Sequence, residues 1–244
     1  MYPVLQIGGA SIQTPGLALL VGVWIALDIF SREAGRRRQN AEHAYNAGFY
    51  ALIGGLIAAR LSFVVLHFES YLDSPLSIFS ILPGSALPNV GFIAGIIVWL
   101  VFLKRKNTLK LEMLDAAAPA LAILAVAVAA ANFLSGDGYG LETSLPWAID
   151  LWSAKRHPTQ IYELLGALAV FGFLWRYRTR WSFDGAASLA WVISYSVVRL
   201  VLEAFRADSW LLLGNLRGIQ VVSLLAIVAV MLLLARRAQK SRGV

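Results

Sequence analysis

Apolar residues run along the chain in seven stretches, at about 15 to 30, 44 to 67, 90 to 103, 114 to 134, 160 to 175, 185 to 205 and 218 to 235. Each approaches the ~20 residues that a helix needs to cross ~30 Å of hydrocarbon. The third is the shortest and extends back to Leu87 if its flanking residues join it. Backbone groups left unpaired in lipid are too costly to persist, so stretches of this length are predicted to be helices. The alternating ten-residue segments of a membrane barrel are absent. The pattern predicts an all-α, polytopic membrane protein of seven transmembrane helices. No soluble insert, internal repeat or low-complexity tract breaks it, so residues 1 to 244 are expected to form a single domain.

Composition agrees with the pattern. Of 244 residues, 59% are hydrophobic and only 14% are charged, where a soluble domain carries about 25%; the mean hydropathy is +0.68. Cysteine is absent, which excludes disulfides, thiolate metal sites and a cysteine nucleophile. Three histidines, His43, His67 and His157, argue against a multi-histidine metal centre.

A net charge of +7 and a pI near 9.9 invite a nucleic-acid reading until the charges are placed. Arginine and lysine favour cytoplasmic loops, and alternate connections here hold Arg32, Arg36, Arg37 and Arg38, then Lys104, Arg105, Lys106 and Lys110. The series continues with Arg176, Arg178 and Arg180, then Arg236, Arg237, Lys240 and Arg242. Fifteen of the 21 basic residues thus lie on one side. The amino terminus is expected outside and the carboxyl terminus inside, and topology accounts for the pI without nucleic acid. Residues 1 to 31 hold no lysine or arginine, so a cleavable signal peptide is not expected and the first helix should be retained.

Six basic residues remain: Arg60, Lys155, Arg156, Arg199, Arg206 and Arg217. Arg60 and Arg199 interrupt apolar runs, where a charge costs at least ~2.5 kcal/mol and requires a partner or a wet cavity. Both fall at the depth of the outer leaflet. Near that level the fourth helix ends in Asn132-Phe133-Leu134-Ser135-Gly136-Asp137-Gly138-Tyr139-Gly140, whose glycines permit sharp turns. The fifth begins with Arg156-His157-Pro158-Thr159-Gln160-Ile161-Tyr162-Glu163, and its first amides and positive dipole end suit an anion. On the sixth, Tyr195, Arg199 and Glu203 recur every four residues and share a face. A basic, amide-lined pocket of this kind fits a phospholipid headgroup.

Most of these residues also have a structural reading. Arg199 and Glu203 form an ion pair within one helix face or serve substrate; Arg60 snorkels to the interface or binds a headgroup. His157 caps and orients the fifth helix or moves a proton. Asn132 bridges helices or touches lipid, while Asp137, Tyr139, Tyr162 and Glu163 order loops or meet substrate. Trp147, Trp152 and Trp210 read as an interfacial belt. Residues 68 to 89 form an ordinary connection, or else Phe79 to Leu82 lie flat in the interface as a lid.

The run from Arg156 to Glu163, followed by Tyr195, Arg199 and Leu202-Glu203-Ala204-Phe205-Arg206, resembles the bacterial prolipoprotein diacylglyceryl transferases. Gly54-Gly55 leading to Ala59-Arg60-Leu61, the Asn132 to Gly140 segment and Gly218-Ile219-Gln220 are similar to further family segments. The resemblance covers nearly the whole chain in the same order. It implies transfer of the diacylglyceryl group of phosphatidylglycerol to the lipobox cysteine thiol of a preprolipoprotein in the bacterial cytoplasmic membrane, with release of glycerol phosphate. It implies no metal or diffusible cofactor. Arg199 and His157 take the catalytic positions under this reading. Arg60, Asn132, Asp137, Gly140, Arg156, Gln160, Tyr162, Glu163, Tyr195, Glu203 and Arg206 take substrate-binding ones.

The chain departs from the family at two positions that matter. Ala129 stands where the signature places a phosphate-binding arginine, and Val90 aligns with the family's histidine. Ser135 and Asp137 replace a second asparagine and a glutamate, and Pro15 a tyrosine. The alternatives are therefore an inactive or repurposed homologue that binds phospholipid or lipoprotein precursor, and a small transporter. A transporter needs polar residues continuing to the inner face, and the inner halves of the fourth, fifth and seventh stretches are almost wholly apolar.

Overall fold

A computed structural model describes residues 4–7, 10–72, 75–79, 87–212 and 214–242. A hairpin of β1 (Val4–Ile7) and β2 (Ala10–Gln13) leads into α1 (Thr14–Arg36), α2 (Ala41–Leu66) and the single turn α3 (Glu69–Leu72). A 3-10 turn (Pro75–Phe79), α4 (Pro88–Arg105) and α5 (Leu111–Ser135) follow. The hairpin of β3 (Ile149–Leu151) and β4 (Ala154–Arg156) precedes α6 (Thr159–Tyr177) and α7 (Ala186–Leu202), which tightens into a 3-10 turn (Glu203–Phe205). The short pair β5 (Leu211–Leu212) and β6 (Leu216–Arg217) precedes α8 (Gly218–Arg242).

Each of the seven apolar stretches is a helix, and the ends differ from the sequence reading mainly by polar turns added to the apolar cores. Asn40 caps α2, its Oδ1 accepting from the His43 amide at 2.8 Å. Among the described residues, five helices, α1, α2, α5, α7 with its 3-10 extension, and α8, are long and apolar enough to cross a membrane. The shorter α6 opens on Thr159, Gln160 and Glu163, which reduces its apolar length. Large apolar side chains stand exposed along these helices, Leu20 at 70% and Val65 at 72% among them. Lipid tolerates that surface and water does not.

The helical expectation holds for most of the chain, with one addition: among the described residues, three two-stranded antiparallel hairpins stand with the helices, one before α1 and two between helices. Two of them, β3 with β4 and β5 with β6, reverse on residues at positive φ. Trp152 and Ser153, at φ 54° and 61°, turn β3 back onto β4, the geometry of a two-residue primed turn. In the connection after α2, residues 69–72 are helical and 75–79 a 3-10 turn. Asp73 and the segment Ser80-Ile81-Leu82-Pro83-Gly84, which carries most of the proposed lid, lie outside the described residues.

The chain divides into two compact units, Met1–Ile29 with Leu114–Val244, and Phe30–Met113. In the larger unit, Ala118 and Ala122 of α5 pack with Val170 and Leu174 of α6 and Ala187 of α7. Small residues let the backbones approach where lipid supplies no hydrophobic drive: a Cβ on Gly22 would stand 2.1 Å from the Ala127 Cβ. In the smaller unit, α2 and α4 meet through Gly55, Gly91 and Gly95, a Cβ on Gly55 falling 2.8 Å from the Gly91 carbonyl oxygen.

Asp115 of α5 supplies the cap that α7 lacks. Gly185, the residue before α7, has φ 93° and no side chain to accept the first amides. Instead, the Asp115 carboxylate accepts from the Gly185 amide at 2.8 Å, the Ser188 amide at 2.8 Å and the Ser188 hydroxyl at 2.9 Å. Asp115 is 1% exposed, so its removal strands buried donors. Asp115→Ala is expected to destabilise the unit by about 3 kcal/mol. Asp115→Asn, which keeps one acceptor, should lose less; thermal unfolding in detergent measures both.

Candidate active site

The site is built where three segments of the larger unit meet. The first is the turn after α5, which Gly136 and Gly138 take at φ 88° and 67°. The start of α6 grips this turn: the Thr159 hydroxyl donates to the Gly138 carbonyl at 2.7 Å, and Gln160 Nε2 donates to the Asp137 carbonyl at 2.9 Å. Both side chains are fully buried. The chain then passes between the other two segments, with the Leu141 amide donating to Phe205 O and the Leu141 carbonyl accepting from the His157 amide. Gly140 pairs across to Arg206, and the Ala207 amide donates to the Tyr139 carbonyl. The carboxamide oxygen of Gln160 has no hydrogen-bond partner among the described residues, leaving a buried acceptor at the start of α6.

Charged side chains converge beside this junction. The Arg199 guanidinium donates to Glu163 of α6 and, at 2.7 Å, to Glu203. Arg206 donates to the same Glu163 oxygen at 2.8 Å and to both oxygens of Asp208 at 3.0 and 2.9 Å. Arg217 closes the group from β6, donating to the carbonyls of Glu203 and Arg206 and to the Ser209 hydroxyl. Burial alone would lower the Arg206 pKa; the Glu163 carboxylate and Asp208 outweigh that and hold it above its ordinary value.

This network corrects the expectation of an electropositive pocket at Arg199. Three guanidinium groups stand with the three carboxylates of Glu163, Glu203 and Asp208, and the cluster is close to neutral. The reason is the cost of burial: Glu203 is 1% exposed and Glu163 7%, and a buried charge without a partner costs several kcal/mol. The pairing of Arg199 with Glu203 one turn away was readable from their spacing. Glu163 as the bridge between Arg199 and Arg206 was not, because only the fold brings α6 against the end of α7.

The remaining candidates fall into place around these elements. The N-cap of α6 is Pro158, with no side-chain cap, so His157 does not cap the helix. Its ring packs 5.2 Å from that of Phe205 and 6.2 Å from Tyr162, with Nδ1 3.5 Å from the Tyr162 hydroxyl. That hydroxyl accepts from Trp147 Nε1 at 2.7 Å, and Trp152 Nε1 donates to the Gly136 carbonyl at 3.2 Å. Two of the presumed belt tryptophans thus also hold the loop. Arg156 lies over the Tyr139 ring at 5.2 Å and donates to Leu151 O, Gly140 O and Glu142. Tyr195 stacks on Trp191. Asn132 is half-buried and Asp137 exposed, its carboxylate 2.7 Å from the Ser135 hydroxyl.

Arg60 belongs to the smaller unit. Its guanidinium donates to the carbonyls of Ile78 at 2.9 Å and Ser77 at 2.8 Å and lies over the Tyr71 ring, tying the 3-10 turn to α2. Ala129 is buried on α5, and Val90 is 40% exposed in the first turn of α4. Sequence reasoning overlooked Asp208, gave Trp147 only a place in the interfacial belt and gave Arg217 no role. The spacing Arg206-x-Asp208 in an extended segment was the available signal for the first.

Membrane-length apolar helices whose ends gather arginines and carboxylates into a buried cluster define an integral membrane protein with a polar site at its helix ends. The chain belongs to the prolipoprotein diacylglyceryl transferase family, whose model matches residues 3–236. It is 30% identical over 220 residues to the phosphatidylglycerol-prolipoprotein diacylglyceryl transferase of Clostridioides difficile, covering 90% of this chain and 88% of the relative. A Trichormus variabilis protein of the same name is 32% identical, with 92% and 86% covered. The one from Finegoldia magna is 31% identical, with 92% and 90% covered. The chain is a multi-pass membrane protein of this bacterial family.

Proposed function

We propose that the chain transfers the diacylglyceryl group of phosphatidylglycerol to the lipobox cysteine thiol of preprolipoproteins. The observation that carries this reading is the match to the family over nearly the whole chain, with Arg199, Arg206 and Glu163 joined in one network. In the reaction the cysteine sulfur forms a bond to the glyceryl carbon, that carbon's bond to phosphate oxygen breaks, and glycerol phosphate leaves with the electron pair. The thiol proton passes to a base. The protein must therefore hold positive charge against the departing phosphate and assist the proton's removal.

Arg199 and Arg206 are the groups for the first task. A guanidinium pairs two phosphate oxygens in its planar fork and keeps its charge in a dry site. Because both already engage Glu163, phosphate binds by exchange: it takes over guanidinium hydrogen bonds that the carboxylate holds at rest. Glu203 and Asp208 stay bound and keep the two arginines oriented. Arg156, Gln160, Asn132, Asp137, Gly140, Tyr162 and Tyr195 bind and shape the donor and peptide. Arg60 acts through the turn that it anchors. His157, beside Tyr162, is the proton acceptor of this reading, in the place of the family histidine that Val90 replaces.

The arrangement in the membrane follows from the basic residues: seven spans, with α4 and α6 crossing alongside the five longer helices, the amino terminus outside and the site facing the outer leaflet. Reconstitution of the purified chain in phosphatidylglycerol vesicles with a lipobox peptide tests the function. Mass spectrometry is expected to find a diacylglyceryl increment on the cysteine. Lipid binding without that product, from the wild type and from Ala129→Arg with Val90→His alike, would replace this reading by a homologue that binds without turnover.

A further inference from the structure

A lipid-sized feature lies in the 30–113 unit, where α2 and α4 cross. Glycines bring the two helices too close for side chains to fill the seam. A Cβ on Gly54 would stand 2.8 Å from Val98 Cγ2, so larger side chains are displaced to the flanks. A furrow of about 460 Å³ results, walled by Ile53, Gly54, Ile57, Ile97 and Val101 and ending at Arg105. That volume falls within the ~300 to 1,000 Å³ typical of small-molecule sites. Ile57 and Ile97 are each 54% exposed, so the furrow is open along its length. From Ile97 to Arg105 it extends eight residues of helix, about 12 Å at 1.5 Å per residue.

The charge at its end separates this furrow from an ordinary lipid-facing seam. Arg105 has no hydrogen bond or ion pair to its side chain among the described residues, unlike Arg60, Arg199, Arg206 and Arg217. Lys104 and Lys106 flank it in sequence, both exposed. An apolar slot that ends in an uncommitted guanidinium complements a molecule with a long hydrocarbon chain and an anionic head. Basic pockets between transmembrane helices take acidic lipid headgroups for this reason. We propose that the α2–α4 furrow binds an anionic phospholipid, one acyl chain lying along Ile57 and Ile97 and the phosphate meeting Arg105.

The guanidinium pairs two phosphate oxygens. A zwitterionic headgroup carries its own ammonium, which competes for the phosphate, so the site discriminates by charge. The proposal is independent of the transfer reaction, because none of these residues belongs to the Glu163 cluster.

The test uses the full chain in phosphatidylcholine vesicles containing a trace of phosphatidylglycerol or phosphatidylcholine, each with a photoactivatable diazirine in one acyl chain. Adducts are mapped by peptide mass spectrometry. The phosphatidylglycerol probe is expected to label the peptides of α2 and α4 that carry Ile57 and Ile97. Arg105→Glu should reduce that labelling roughly tenfold and leave labelling of α6 and α7 unchanged, while Arg105→Lys retains a large part of it. Equal labelling by the two probes, or labelling that survives Arg105→Glu, would assign the furrow to bulk lipid and overturn the proposal. Labelling that declines as protein density in the vesicle rises would assign it to a second copy of the chain, with the same consequence. Helix content measured by circular dichroism shows that each variant is folded.

Discussion

Arg199→Ala is expected to abolish diacylglyceryl transfer and to destabilise the larger unit. The side chain donates to Glu163 and Glu203 together, and both carboxylates are buried. Its removal leaves two anions close together with less compensation, and breaking a buried pair from one side costs about 3–5 kcal/mol. On the reaction coordinate, the leaving phosphate loses a fixed positive charge. Removal of one preorganised electrostatic contact of this kind costs ~10²- to 10³-fold in rate. Arg199→Lys separates the two effects, since a lysine keeps the charge but not the fork that spans two carboxylates. It should recover much of the stability and little of the rate. Peptide mass spectrometry gives the rate and thermal unfolding the stability; full transfer by a folded Arg199→Ala protein would remove Arg199 from the mechanism.

Gly140→Ala is expected to lower transfer as well, by a different route. A Cβ at this position would stand 2.4 Å from the His157 carbonyl oxygen, 2.7 Å from its Cβ and 3.0 Å from its carbonyl carbon. Two of those atoms are backbone, so no side-chain rotation relieves the clash. The Leu141 contacts to His157 and Phe205 must open, and with them the pairing of Gly140 to Arg206. Overpacking of this kind costs about 1–3 kcal/mol, and here the displacement falls on Arg206 and the start of α6. Transfer should fall by at least about tenfold, a shift of ~1.4 kcal/mol in barrier. Gly172→Ala, where a Cβ meets nothing within 4 Å, is the control and should retain wild-type rate and melting temperature. Equal behaviour of the two variants would show that the close approach at Gly140 does not matter.

Much of the scaffold was legible because lipid simplifies the problem. A segment in hydrocarbon must pair its own backbone groups, so apolar length translates directly into helix. The spacing of Arg199 and Glu203 also translated directly, because residues four apart on a helix are neighbours. Glycines at 136 and 138 marked the turn after α5 for the same kind of local reason. By contrast, the Asp115 carboxylate caps a helix seventy residues later, and no period in the sequence connects the two. The hairpin of β3 and β4 was missed because three-residue strands carry too little alternation to register. Arg60 was singled out as a charge in an apolar run, but its partners include carbonyl groups, which every residue has and no composition reveals.

What the sequence determined by itself is what depends on the solvent and on near neighbours: a membrane location, the positions of the helices, and the residue types from which the polar site is made. Only the tertiary structure decided how the charges are spent. Glu163, Arg199, Arg206 and Arg217 come from α6, α7, the segment after it and β6, and buried charges choose partners by distance in space. That choice turned an expected basic pocket into a balanced network.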